Sequence, residues 1–269
     1  MILEAFMPTI VSIPDTLNAL NANFKQSPLT APLFLNSVPK SGTHLIRNII
    51  RMFVPTNQQY HDAFIQIPIL RQHQLAFDSK KPKVSWGHLL FSDDSAIALS
   101  QVRHILLVRD PYDWVLARAR FFLSDTFQGS LEHLKGGRVS VDEVLNMMIL
   151  GIHGKSPTLQ EIYTHNAVGW LGTQATVIRY EELMESVKDL SSQRSEQFFC
   201  HLFQASGLGE LPADWRDRVV IGADRKQSGT ARENLTGFKG AIPEVLPDMQ
   251  KQMVDFAAPG LRQLLGYRD

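Results

Sequence analysis

An apolar run, a glycine-containing turn and an amphipathic segment follow one another between Pro32 and Phe53, and this succession constrains the fold more than any other stretch. Pro32 to Val38 is short and apolar after the punctuation of Pro28 and Pro32, as a buried strand requires. Pro39 to Thr43 then reads as a loop. From His44 to Phe53, Leu45, Ile49, Met52 and Phe53 recur at helical intervals with Arg47, Asn48 and Arg51 on the other side, and Pro55 ends the helix. A strand that feeds a helix through a tight turn begins an alternation of strands and helices, which implies a parallel sheet covered on both faces.

The pattern repeats downstream. Lys83 to Trp86 reads as a second short strand, and Ser92-Asp93-Asp94 as the capped start of a helix. Arg103 to Arg109 carries Ile105, Leu106, Leu107 and Val108 without alternation, which marks a central parallel strand covered on both faces. Pro111 suits the first turn of the helix that runs to about Ser124. Ser140-x-x-Glu143 and Thr158-x-x-Glu161 are capping boxes. Ala175 to Arg179 is a fourth strand, Ser192 to Ala205 a helix closed by Gly207, and Pro247 to Phe256 a further helix. Gly222 to Ile242, rich in Gly, Lys and Arg and without periodicity, reads as a long functional loop. The expected fold class is α/β, a central parallel sheet flanked by helices.

Composition narrows the class. The 269 residues include a single cysteine, Cys200, so no disulfide scaffold exists. Lys plus Arg and Asp plus Glu both total 27, a formal charge of zero, so no polybasic surface for nucleic acid or membrane is expected. No run of eighteen apolar residues occurs, which excludes a membrane-spanning helix. Met1 to Phe24 carries Glu4, Pro8, Pro14 and Asp15 instead of a charged start and an apolar block, so a cytoplasmic, soluble chain is expected. Repeats and low-complexity tracts are absent, and the expectation is one domain over 1–269. There is no HExxH and no cysteine pair, and the nine histidines lack ligand spacing, so no metal is expected.

The chemistry concentrates in Pro39-Lys40-Ser41-Gly42-Thr43-His44. Between a buried strand and a helix, backbone N–H groups and the helix dipole form an anion site. Gly42 permits close approach, Lys40 adds a compact positive charge, and Ser41 and Thr43 add hydroxyls. Walker A needs its Lys after the glycine and directly before Ser or Thr, and Lys40 precedes both. The hexapeptide instead resembles the phosphosulfate-binding loop of the sulfotransferases that use 3′-phosphoadenosine 5′-phosphosulfate (PAPS). Arg109-Asp110-Pro111-Tyr112-Asp113 is similar to that family's second signature, which implies Arg109 as a ligand of the 3′-phosphate. The serine usual eight residues later is Ala117 here, followed by Arg118.

Further segments extend the resemblance. Trp86-Gly87-His88-Leu89 stands where the family has Thr-His-Leu-Pro, and implies His88 as the catalytic base. Arg179-Tyr180-Glu181 resembles the Tyr-Glu-Asp segment, placing Tyr180 near the adenine. Arg225-Lys226-Gln227-Ser228-Gly229 resembles the Arg-Lys-Gly loop, with Gln227 at the glycine, and implies Arg225 and Lys226 as phosphate ligands. The stacking tryptophan is Leu45. The resemblance implies a P-loop-like sulfotransferase architecture and a cofactor site of Lys40, Ser41, Gly42, Thr43, His44, Arg109, Tyr180, Arg225 and Lys226. His88 and Lys40 are its catalytic pair. PAPS is the implied donor, adenosine 3′,5′-bisphosphate (PAP) the product, and a small-molecule or glycolipid hydroxyl or amine the acceptor. The alternatives are a P-loop-type ATP-dependent phosphotransferase, for which Asp110 imitates a Walker B aspartate, and a non-catalytic nucleotide-binding homologue.

Overall fold

A computed structural model describes residues 9–10, 14–124, 127–128, 132–135, 138–228 and 241–268. Six strands occur among them: β1 Thr9–Ile10, β2 Leu33–Ser37, β3 Val84–Gly87, β4 Arg103–Val108, β5 Phe127–Gln128 and β6 Thr176–Arg179. The α-helices are α1 Leu17–Asn21, α2 Thr43–Arg51, α3 Asp93–Ala98, α4 Pro111–Leu123, α5 Glu132–Lys135, α6 Val141–Leu150, α7 Leu159–Asn166, α8 Tyr180–Lys188, α9 Gln193–Ser206, α10 Trp215–Ala223, α11 Asp248–Ala257 and α12 Leu261–Leu264. Residues 1–8 and 229–240 lie outside the described residues, and with them Glu4, Pro8, Gly229 and most of the loop expected over 222–242. No helix of the described residues is long and apolar enough to cross a membrane. Packing divides the chain into two compact units.

The unit of Asp15–Arg109 and Tyr163–Ser228 contains a four-stranded parallel sheet in the order β3-β2-β4-β6, flanked by helices. The sheet exists because its strands are apolar on both faces. Leu33, Leu35, Ile105 and Leu107 are buried with Ile46 and Ile49 of α2 and Phe199 and Phe203 of α9. On the other face Phe34 meets Phe77 edge-on at 5.6 Å, and His104 meets Trp170 at 4.7 Å. Each such large apolar side chain contributes about 1.5–3 kcal/mol by leaving water. Register then aligns the strand ends. Asn36 pairs with Gly87 on one side and Leu106 on the other, and Val108 pairs with Arg179. The residues that follow, namely the 38–43 loop, His88, Arg109 and Tyr180, therefore leave the sheet at one carboxyl edge. The chain steps from β2 out to β3 and returns to β4 on the opposite side of β2, and the crevice at such a reversal is where α/β sheets bind ligands.

The second unit groups Met1–Pro14, Asp110–Ile162 and Gly229–Asp269. Within it α4, α6 and α11 pack together, and β1 pairs antiparallel with β5. Asp110 caps α4 by accepting from the Tyr112 amide at 2.9 Å and pairs with Arg262 at 3.1 Å. Ser140 and Glu143 close a reciprocal capping box at the start of α6.

Most elements fall where the sequence pattern puts them, within a residue or two. One difference is instructive: Gly222 reads as the start of a loop, yet it lies inside α10. The glycine serves close packing there, since a Cβ would stand 2.6 Å from Ile49 Cα and 2.8 Å from the Asn48 carbonyl oxygen. A second surprise is the buried His104, 3% exposed, whose Nε2 has no partner among the described residues. Burial lowers its pKa to about 3. The unfolded chain therefore binds a proton near pH 6.5 that the folded chain refuses, and stability falls as pH drops below that value. His104→Phe removes this load. Between pH 7.5 and pH 5 the wild type is expected to lose about 2 kcal/mol more than the variant, read by urea denaturation at both pH values.

Candidate functional site

The loop after β2 holds two residues in the left-handed region, Lys40 at φ 69° and Gly42 at φ 93°. For glycine this conformation is free, whereas for lysine it costs about 1–2 kcal/mol. The result is a turn with open donors. The Ser41 amide bonds back to the Val38 carbonyl at 3.1 Å, and the amides of Leu45 and Ile46 both reach the Gly42 carbonyl. The amides of Gly42, Thr43 and His44 have no acceptor among the described residues, and no side chain caps α2. The Ser41 hydroxyl and Nε of Arg109 are both buried, and neither has a hydrogen-bond partner among the described residues. Unmet buried donors beside a helix N-terminus are a cradle shaped for an anion.

Charge in the cradle is tuned by burial. Lys40 is held down to about 7, because its ammonium has left bulk water. His44, four residues on and with Nδ1 lacking a hydrogen-bond partner among the described residues, is driven to about 3 by burial first and then by the neighbouring charges of Arg47, Lys40 and His88. Arg47 and Arg51 share one carboxylate, Asp15, which takes Arg51 at 2.7 Å and Arg47 at 3.7 Å.

His88 stands directly after β3, and two residues at the end of β2 fix it. Asn36 grips the main chain one residue on, accepting from the Leu89 amide at 2.9 Å and donating to the Leu89 carbonyl at 3.1 Å. Nδ1 of His88 lies 2.8 Å from the Ser37 carbonyl and 3.1 Å from the Ser37 hydroxyl. A carbonyl can only accept, so Nδ1 carries the hydrogen and Nε2 keeps a lone pair. The Ser37 hydroxyl in turn lies 2.6 Å from that of Thr43, joining the imidazole to the loop. Burial lowers the His88 pKa to about 4, opposed by the Ser37 carbonyl and reinforced by Lys40, so the ring is neutral at pH 7. The ring of Phe64 packs edge-on against it at 4.7 Å.

Arg109, the first residue past β4, crosses to the same loop. Its guanidinium lies 4.4 Å from the centre of the Tyr180 ring, and Nη1 approaches the Lys40 carbonyl at 3.4 Å. The Tyr163 hydroxyl donates to the Arg109 carbonyl at 2.8 Å. Tyr180 in turn covers Gly42 so closely that a Cβ there would stand 2.5 Å from the ring. Lys40, Arg109, Tyr180 and Gly42 are thus linked by direct contacts, and His88 joins them through Ser37 and Thr43.

Arg225 and Lys226 are exposed in a 3-10 turn that Gln227 anchors elsewhere. Gln227 Oε1 accepts from the Thr16 amide at 2.9 Å, and its carbonyl accepts from Asn48 at 2.9 Å. The residue at the family's glycine is therefore a strap to α1 and to the second turn of α2. Arg118 does not stand in for the serine replaced by Ala117. It is buried and donates to the Met148 and Pro157 carbonyls and to the Ser156 hydroxyl. Leu45 packs against the hydrophobic core. Asn36, Ser37 and Tyr163 bond to the residues of the candidate site and belong to none of the motifs; the first two had a signal, since polar residues end an otherwise apolar strand.

No protein-family profile and no curated protein sequence matches the chain. Its fold is that of the P-loop-like α/β sulfotransferases. Among solved structures it is similar to the mouse sulfotransferase SULT7A1 complexed with PAP, with a TM-score of 0.58 and 14% sequence identity over 96% of this chain and 95% of that one. At that identity the likeness is one of fold.

The cradle makes one stability prediction independent of any ligand. Gly42→Ala must adopt a left-handed conformation and displace the Tyr180 ring, and is expected to cost about 2 kcal/mol or more in chemical denaturation. A loss below about 0.5 kcal/mol would mean that the turn relaxes freely.

Proposed function

We propose that the chain is a PAPS-dependent sulfotransferase that moves a sulfuryl group to a hydroxyl or amine acceptor, with His88 as base and Lys40 as the principal cation. What supports the reading is the pairing of an anion cradle, whose Gly42, Thr43 and His44 amides and buried Ser41 hydroxyl and Arg109 Nε find no acceptor among the described residues, with a neutral imidazole joined to it through Ser37. The fold shared with a sulfotransferase complexed with PAP supports it from a separate direction.

The residues suit such a donor. The amides of Gly42, Thr43 and His44, the Ser41 hydroxyl and Lys40 would hold the phosphosulfate end, and Arg109 the 3′-phosphate, with Tyr180 beside it. Arg225 and Lys226 are the proposed outer ligands. When bound, PAPS supplies the sulfuryl group and an anionic leaving phosphate. Nε2 of His88 takes the acceptor proton, and the positive charge that forms on the ring is stabilised by Nδ1–H donation to Ser37. Lys40 and the loop amides offset the negative charge that builds on the opposite side. We further propose that the whole chain acts as one sulfotransferase domain in the cytoplasm, on small-molecule or glycolipid acceptors.

The test is transfer of label from PAPS to pooled phenols, alcohols, amines and glycolipids. His88→Ala is expected to lower turnover by about 10²–10⁴ and Lys40→Ala by about 10². Full turnover by His88→Ala would remove the base, and ATP-dependent phosphorylation without sulfate transfer would favour a phosphotransferase. Lys40 adds a pH dependence. In the free protein its charge is lost as pH rises through about 7, so PAP affinity falls about tenfold per unit above that point. Lys40→Arg keeps its charge, and its PAP affinity, measured by calorimetry from pH 6.5 to 9, is expected to stay level.

A further inference from the structure

Ser37 has no part in any of the motifs, yet among the described residues it is the one side chain that bonds both to the cradle and to the imidazole. It is fully buried at the end of β2, and Thr43 is 6% exposed. The direction of donation along this chain follows from its ends. His88 Nδ1 carries a hydrogen because the Ser37 carbonyl, 2.8 Å away, cannot give one. The Ser37 hydroxyl at 3.1 Å shares that hydrogen as an acceptor, which leaves its own hydrogen available to Thr43 Oγ1 at 2.6 Å. Thr43, having accepted, is left with a hydroxyl hydrogen that finds no acceptor among the described residues. It begins α2 among the open amides of the cradle.

We propose that Ser37 is a positioning residue that relays occupancy of the 40–43 loop to the basicity of His88, along Thr43 Oγ1, Ser37 Oγ and His88 Nδ1. The proposal rests on the reading of that loop as the donor site. An anion in the cradle accepts the terminal Thr43 hydrogen. Thr43 then draws the Ser37 hydrogen more strongly, and Ser37 becomes a better acceptor from Nδ1–H. Each bond polarises the next in a buried, low-dielectric setting. Electron density shifts towards Nε2, and the imidazolium that forms when Nε2 takes a proton is better stabilised. The relay answers a difficulty in the site: burial leaves the ring of the empty protein a poor base, at about 4. With the relay, the base strengthens when the donor is present and stays weak when it is absent.

Proton NMR of the His88 Cε1 signal, assigned with His88→Gln, tests this on the full chain without turnover. The pKa of His88 is measured with and without saturating PAP in wild type, Ser37→Ala and Ser37→Thr. All three are expected to bind PAP within about threefold by calorimetry, because among the described residues the Ser37 side chain bonds to the loop through Thr43 alone. PAP is expected to raise the wild-type pKa by about one unit more than that of Ser37→Ala, with Ser37→Thr restoring the difference. The His104 signal serves as reference, and its constancy across the variants reports an unchanged sheet. Equal PAP-induced shifts in wild type and Ser37→Ala overturn the relay and leave the donor reading standing. Failure of wild type to bind PAP overturns both.

Discussion

The parallel pairing of β2 with β3 on one side and β4 on the other is the constraint on which the site depends. Its register ends the strands together, so that a turn, an imidazole and a guanidinium leave the sheet as neighbours although they are far apart in sequence. The pairing is enforced by burial on both faces, since a slip of one residue would turn Leu33, Leu35, Ile105 and Leu107 away from α2 and α9. Asn36 adds a polar lock, holding the Leu89 main chain through its amide and carbonyl groups. Packing energy sets the sheet, and hydrogen bonds at its edge set the chemistry.

Electrostatics in the site follow from the same burial. Lys40, His44 and His88 all have their charged forms disfavoured because the loop lies against the sheet end rather than in water. A cation prepared in this way gains most when a dense anion arrives, since the interaction is made where the dielectric is low. The neutral His88 fits the same logic: a ring beside Lys40 would be costly to protonate before the cradle is filled.

Much of the sheet was legible because its signals are local. The run Ile105 to Val108 cannot be hidden on one face, and the Ser140–Glu143 and Thr158–Glu161 boxes close through bonds three residues apart. The loop around Lys40 and Gly42 was legible for the same reason. Helix α10 was not, because Gly222 is a breaker by propensity, and only the proximity of Ile49 explains it. Ser37 was not legible as a positioning group either, since its meaning lies in a ring 51 residues away. The segment around Arg225 reads as a phosphate clamp, but the Gln227 bonds to Thr16 and Asn48 that fix it are long-range as well.

The left-handed backbone of Lys40 carries a consequence for how such a chain can change. Glycine at this position would relieve the turn and abolish a desolvated ammonium, so selection for thermal robustness alone would drive the lysine out. The lysine therefore costs stability that a neutral turn would keep, and a bound anion would offset that cost.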